Sequence, residues 1–216
     1  MKKIKDKFIM KKIKNIEIEL RGPLISEEYL QLEKFLKRNG QFVANKERIL
    51  IDYSMFLLSE GLEDRTRDIR LRVTNKVPEI VVKLGKMGDN ESRKELSVLA
   101  QTGDFDKLVE IFGVLGLTKG ILCLRKSQVF MYREVEFTLV EVPCHSYYFE
   151  AEKLITSDEN KDDARKEIIS ICQELGLKLF DNEGLFAYIK KLNEEANEIF
   201  DFENYTENYF KDRFNL

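Results

Sequence analysis

Glu17 and Glu19 alternate with Ile16, Ile18 and Leu20 near the start of the chain, and Arg21 follows in the same phase. In an extended strand successive side chains point to opposite faces, so two carboxylates and a guanidinium share one side and the aliphatics share the other. The pattern returns further along. Arg70 and Arg72 share a face of 68–74, Lys83 lies in 79–84, Arg93 and Glu95 share a face of 92–98, and Glu150 and Glu152 close the series. A half-buried strand with solvated charges gives the same alternation. Its recurrence, with cationic strands mid-chain and an acidic pair late, is what suggests chemistry. Clustered carboxylates hold Mg2+ or Mn2+, which prefer hard oxygen ligands. Arginine forks grip phosphate oxygens in pairs, and lysine supplies a compact point charge. Such a set suits a metal–polyphosphate complex, in which the metal polarises a phosphoryl oxygen or activates an attacking water or hydroxyl. Catalysis then consists mainly of positioning and charge neutralisation.

Composition narrows the alternatives. The 216 residues fit one domain, or one domain with a helical extension. Charged residues make up 35%, against a typical quarter, yet 36 basic and 39 acidic residues leave a net charge of only −3. No single-sign field of the kind that binds bulk nucleic acid results. Cys123, Cys144 and Cys172 are odd in number and lack metal-ligand spacing, and His145 is the sole histidine. A zinc site, a disulfide framework and Ser/His/Asp catalysis therefore find no support, and a reduced, cytoplasmic setting is expected. Residues 1–14 are basic without an apolar stretch long enough for a signal peptide, Met10 is an alternative start, and no apolar run spans a membrane. There is no Walker-type phosphate loop.

The elements that must carry these residues read as short strands and turns with helices between. A strand over 14–21 ends at Gly22-Pro23. Ser26 is expected to cap a helix with Tyr29, Leu30, Leu32, Phe35 and Leu36 at helical spacing, closed by Asn39-Gly40 in a left-handed conformation. Residues 41–53 read as two short strands hinged near Asn45, and 59–66 as a loop. Strands at 68–74, 79–84 and 92–98 are separated by turns at 75–78 and 85–91, which implies an antiparallel meander. A helix runs from Asp104 to about Leu115, followed by aromatic-rich strands at 119–130, 132–142 and 145–153. Ser157-Asp158 opens a helix to about Leu175, and a last helix covers Glu183 to Phe200. The tail, 201–216, mixes aromatics and acids, as a packed helix or a mobile end.

Charges usually face outward and oil fills a barrel. The reverse is physically possible if helices cover an oily outside, leaving a charged interior that is tolerable only with water, ions, internal pairs or a ligand. The solvated alternative stays open for each residue. Glu150 and Glu152 on an outer strand would simply be wet, and surface arginines would form ion pairs that contribute little stability. His145 reads as a turn residue, and the tail aromatics read as packing or dimer contacts.

Taken together the motifs resemble the CYTH superfamily, the triphosphate tunnel metalloenzymes, over roughly residues 14–192. Glu17-Ile18-Glu19-Leu20-Arg21 matches E-x-E-x-K with arginine for lysine; Arg70-Leu71-Arg72 matches R-x-R, followed by Lys83; Arg93-Lys94-Glu95 matches R-x-E; Phe149-Glu150-Ala151-Glu152 matches F-x-E-x-E; Ala187-Tyr188 resembles the closing Ser-Tyr segment. The resemblance implies an α+β fold, an antiparallel eight-stranded β-barrel with helices packed around the outside. It implies a tunnel domain over 14–200, with a basic extension at 1–13 and a tail at 201–216. It also implies metal-dependent hydrolysis of a nucleoside, thiamine or inorganic triphosphate. Class IV adenylyl cyclase activity, a polyphosphate-binding module and action on an RNA 5′ end are the alternatives. Glu17, Glu19, Glu95, Glu150 and Glu152 are then expected at Mg2+ or Mn2+. Arg21, Arg70, Arg72, Lys83, Arg93 and Arg125 are expected at phosphates, with Glu19, Arg70, Arg72 and Lys83 catalytic. A monomer or homodimer with no membrane partner is expected. Three positions depart from the family pattern: Val140 replaces a metal-ligand aspartate, with Glu136 on the same face; Ser127 replaces a phosphate-binding arginine; and Ser146, after His145, replaces a glycine.

Overall fold

Nine strands and five helices make up the computed structural model, which describes residues 16–57, 65–86, 92–156 and 160–216. In order these are β1 (Ile16–Leu24), α1 (Ser26–Asn39), β2 (Gln41–Asp52), β3 (Arg67–Thr74), β4 (Val77–Leu84), β5 (Ser92–Leu99), α2 (Phe105–Val114), β6 (Lys119–Tyr132), β7 (Val135–Val142), β8 (Ser146–Ile155), α3 (Lys161–Glu174), α4 (Asn182–Glu195), β9 (Glu198–Asp201) and α5 (Tyr209–Phe214). The strands follow the order β2-β3-β4-β5-β1-β8-β7-β6, and a β2–β6 pairing closes the ring. This is the antiparallel eight-stranded barrel with outer helices that the motifs imply. β9 adds to the stretch of β6 that β7 leaves unpaired. Closure removes free edges. The thinnest seam lies between β1 and β5, where the described residues form two register pairs, against nine between β1 and β8.

The oil is outside. Ile16, Ile18 and Leu20 of β1 join Phe137, Leu139, Phe149 and Ala151 in one core, covered by Tyr29, Leu32 and Leu36 of α1 and by Ile168, Ile171 and Cys172 of α3. A second core joins Ile51, Leu71 and Val73 to Phe105, Val109 and Phe112 of α2, with Phe200 and Phe210. Each such aliphatic or aromatic side chain contributes about 1.5–3 kcal/mol on burial. The charged faces of β1, β3, β4, β5 and β8 that carry Glu17, Glu19, Arg70, Arg72, Lys83, Arg93, Glu95, Glu150 and Glu152 are thereby turned inward.

Several local expectations are corrected. Residues 41–52 form one continuous strand, and the suspected hinge is a register shift between Phe42 and Ala44, a bulge that bends the strand without ending it. Ser26 is the first helical residue of α1. The cap is Ile25, whose N–H donates to the Glu28 carboxylate at 2.9 Å, so Glu28 supplies the capping interaction. Gly40 is extended (φ −107°), and what requires glycine there is close approach, since a Cβ would meet the Leu36 and Met131 carbonyls at 3.0 Å. The last helix ends at Glu195, and Ile199-Phe200 lie in β9. The tail packs: Asp106 on α2 accepts from the Phe210 and Lys211 N–H groups (3.0 and 2.9 Å) and from the Tyr205 hydroxyl (2.8 Å), fixing α5 with Phe210 fully buried. The basic residues 1–13, most of the 59–66 loop and of the 85–91 turn, and the Ser157-Asp158 helix start lie outside the described residues.

Candidate functional site

Strand register sets the order of charges on the inner wall. Across β7, β8 and β1, Glu136 stands beside Glu152, and Glu152 beside Glu19. One step along, Thr138, Glu150 and Arg21 form the next row. On the other side of β1, Glu17 stands opposite Arg93, and Lys83 on β4 stands between Glu95 and Asp68. Glu17, Glu19 and Glu152 each offer a carboxylate oxygen within 4.8 Å of the others. Lys83 Nζ reaches into this group, 2.8 Å from Glu17, 3.9 Å from Glu19 and 3.1 Å from Glu95.

The electrostatics of the three carboxylates differ sharply. Burial opposes ionisation of Glu19, but Arg21, Lys83 and Arg93 outweigh it and hold the group at about 2. Glu152 is pushed up to about 8 by burial and by the neighbouring Glu19 and Glu17, with Lys83 only partly offsetting them. Like charges in one site cannot all ionise without compensation. Lys83 gains more from Glu19, Glu17 and Glu95 than burial costs it, so its proton is held more firmly than usual.

Of the five residues expected at metal, Glu17, Glu19 and Glu152 therefore meet. Glu150 instead accepts from Arg21 Nε at 3.1 Å, and Glu95 faces Lys83 and Arg72 (3.5 Å). Among the expected phosphate cations, Arg21 bridges Glu19 (2.6 Å) and Glu150, and Arg72 pairs with Glu79 at 2.6 Å. Arg70 and Arg93 converge on Asp68 Oδ2 at 2.7 and 2.6 Å. Asp68 is fully buried; Arg65 lies 2.7 Å from its other oxygen and 3.3 Å from Asp52. Burial works against ionised Asp68, and the three arginines override it, keeping the carboxyl far below its ordinary range. Sequence reasoning passed over Asp68 and Asp52. Asp68 was visible in principle, since it shares the face of Arg70 and Arg72 at a spacing of two. Asp52 similarly stands opposite Arg70 across β2 and β3.

The departures from the motif pattern also find places. Val140 is buried opposite Tyr148 and Ser127, and Glu136, on the same face, lies in the carboxylate row with Lys46 at 3.7 Å. Ser146 accepts or donates with the Tyr188 hydroxyl at 2.9 Å and with His145 Nδ1 at 2.7 Å, while His145 Nε2 meets Glu195 at 3.0 Å. This chain of contacts holds α4 to β8. The approach to α4 is fixed too: the Phe180 N–H donates to the Arg21 carbonyl at 2.8 Å, and Asp181 caps the helix through the Gly184 N–H. The crossing is tight at Gly22, where a Cβ would lie 1.9 Å from the Lys178 carbonyl. No helix among the described residues is long and apolar enough to cross a membrane.

No protein-family model matches the chain, and no curated protein matches it significantly. Solved structures do. PH1819 from Pyrococcus horikoshii OT3 aligns at 21% identity and TM-score 0.66, over 81% of this chain and 98% of that one. A "putative adenylate cyclase" from Vibrio parahaemolyticus aligns at 13% identity and TM-score 0.55, over 76% and 90%. A "putative adenylyl cyclase" from Hippeastrum, described as having a dominant triphosphatase activity, aligns at 13% identity and TM-score 0.51, over 82% and 95%. These likenesses establish a shared fold: the chain is built as the same kind of antiparallel barrel as proteins described as adenylate cyclases or as a triphosphatase.

Proposed function

We propose that the chain is a CYTH-type enzyme that hydrolyses a phosphoanhydride bond of a triphosphate compound inside its barrel, with Mg2+ or Mn2+ as cofactor. One observation carries this reading. Three carboxylates, Glu17, Glu19 and Glu152, crowd within 4.8 Å, and although Arg21, Lys83 and Arg93 hold Glu19 ionised, burial and the neighbouring carboxylates still push Glu152 up to about 8. A hard divalent cation fits that donor set and its charge deficit. When bound, the metal neutralises phosphate charge and lowers the barrier to attack by water. The chain's own cations do the rest. Arg21 and Lys83 border the carboxylates and orient the phosphate oxygens nearest them, while Arg72 and Arg125 extend the cationic wall. Arg70 and Arg93 are set in place by Asp68 and lend field more than free donors. Free cysteines, with Cys123 and Cys172 buried, fit a reducing, cytoplasmic setting.

A second reading, a triphosphate-binding module with little turnover, is favoured by the capture of Arg70 and Arg93 by Asp68 and by Val140 in the carboxylate-bearing wall. The test is release of phosphate and pyrophosphate from inorganic triphosphate, ATP and thiamine triphosphate with each metal, beside Glu152→Gln. Phosphate release lost in the variant is expected. Pyrophosphate with cyclic AMP would make the enzyme a cyclase, and binding without turnover would make it the module.

A further inference from the structure

Asp68 Oδ2 accepts from two arginines at once, Arg70 Nη2 at 2.7 Å and Arg93 Nη1 at 2.6 Å. Two guanidiniums on one oxygen repel each other, and a carboxylate relieves this by turning so that each takes an oxygen of its own. The terminal torsion of aspartate is broad enough to allow the turn. What opposes it is Arg65, whose Nε lies 2.7 Å from the other oxygen, Oδ1. Arg65 is only 2% exposed, and its Nη1 donates to Asp52 Oδ2 at 3.3 Å. Asp52 is fixed in turn through its second oxygen, which accepts the Ser54 N–H at 2.9 Å, while Ser54 Oγ accepts the Ile69 N–H of β3 at 2.7 Å. With a carboxylate on each side, the Arg65 fork is a strut between β2 and β3.

An arginine that precedes β3 and belongs to no strand is thus held inside the barrel. Arg65, Asp52 and Arg70 border a cavity of about 160 Å³ that also reaches Arg21 and Glu150. Other cations of this cavity are held differently. Arg48 on β2 and Arg125 on β6 are cross-strand partners. Arg48 donates to Thr74 Oγ1 at 3.2 Å and Arg125 to Asn197 Oδ1 at 3.1 Å, and among the described residues neither forms an ion pair with a carboxylate. Anchoring by carboxylates therefore belongs to the β3–β5 side. It runs from Arg65 through Asp68 to Arg93, which stands opposite Glu17 of the carboxylate trio.

We infer that Arg65 is a positioning residue: by holding Asp68 Oδ1 and Asp52, it keeps Arg70 and Arg93 together on Asp68 Oδ2 and so sets where their charge falls inside the barrel. The inference rests on the proposal above that the barrel takes a triphosphate. Without Arg65, one of the two arginines moves to the vacated oxygen, and its charge moves with it. The test is kinetics of Arg65→Met and Arg65→Lys in the full chain with Mn2+, on whichever of inorganic triphosphate, ATP and thiamine triphosphate the wild type hydrolyses, each rate set against the folded fraction from circular dichroism. Arg65→Met should lower kcat/KM about 10- to 100-fold. The loss should come mainly as a raised KM, because the two arginines act on phosphate charge that is present before the reaction begins. Lysine keeps the charge and loses the fork, so Arg65→Lys should fall between methionine and wild type, and it is the variant to read if Arg65→Met does not fold. Lower melting temperature with a wild-type KM in the variants that fold would make Arg65 a structural brace alone and overturn the inference, with the hydrolase reading intact. A lowered KM would overturn it too, since Asp68 would then be withholding the arginines from phosphate. Should no compound turn over, calorimetric binding of inorganic triphosphate that is weakened in the variants would sustain the inference and remove the hydrolase; no binding by the wild type would remove both.

Discussion

Glu19 and Glu152 stand directly opposite one another across the β1–β8 pair, one held ionised at about 2 and the other held protonated up to about 8. Two identical side chains in adjacent positions thus take different charge states. Glu19 has Arg21 at 2.6 Å, whereas Glu152 has mainly other carboxylates.

The two positions should therefore respond differently to the same substitution. Glutamine is the shape of the protonated acid, so Glu152→Gln should leave the metal-free protein as stable as wild type or stabilise it by about 1–3 kcal/mol at pH 7. Glu19→Gln strips a buried partner from Arg21 and should destabilise by about 3 kcal/mol. Chemical denaturation of both variants without divalent metal measures this, and equal losses at both sites would refute the asymmetry.

The raised value of Glu152 also fixes a pH dependence. Folding favours its protonated form, so the contribution to stability is full below about 4.5, declines as pH rises toward about 8, and is level above that. Metal ligation needs the ionised carboxylate, so stabilisation by Mn2+ should grow over the same window. Melting temperatures from pH 5 to 8.5, with and without Mn2+ and with Glu152→Gln as reference, test both slopes. A metal effect that is flat across the range would count against Glu152 as a ligand.

Asp68 sits at the centre of three arginines and is fully buried. Asp68→Asn leaves Arg65, Arg70 and Arg93 without their shared counter-charge and should cost about 3–5 kcal/mol. Its depressed folded value gives stability that is present above the ordinary aspartate range and lost as pH falls through and below it. Urea denaturation at pH 7 and at pH 3 should show the variant's deficit shrinking in acid. A surface-like loss under 0.5 kcal/mol at pH 7 would mean that the node is not a structural unit.

Gly22 lies where the segment leading to α4 crosses β1, and a Cβ would also meet the Phe149 ring at 2.5 Å. Gly22→Ala should destabilise by about 1–3 kcal/mol through overpacking and lift α4 from the barrel mouth. Thermal melts report the first effect, and hydrogen exchange over α4 reports the second; unchanged protection there would separate the crossing from the placement of α4.

The alternation of Glu17-Ile18-Glu19-Leu20-Arg21 and of Arg70-Leu71-Arg72 carried the strands and the sharing of one face by their charges, because period-two patterning is a local property of a strand; alternation fits either polarity, and the closed barrel with that face inward came from the resemblance of the motifs. The end of α4 was less legible: apolar residues continue through Ile199 and Phe200 at spacings a helix also allows, and only pairing with β6 makes them strand. The bulge in β2 disturbs the alternation that would have shown one strand. Arg65 could not be foreseen as a partner of Asp52 and Asp68, since it precedes β3 and no periodicity fixes where its side chain goes. Arg48 and Arg125 become a pair only through the closure of the barrel, a contact between residues far apart in the chain.

The anchoring of α5 by Asp106 has a consequence for biosynthesis. Ile51, Leu71 and the inner face of α2 complete their core against Phe200 and Phe210, and the Asp106 carboxylate finds its backbone donors only at Phe210 and Lys211. A nascent chain emerging from the ribosome can assemble the α1–α3 side of the barrel earlier, but the α2 side must wait for residue 210. Until then its oily face stays available to chaperones, and translation arrested short of that point would yield a protein with one finished core and one open one.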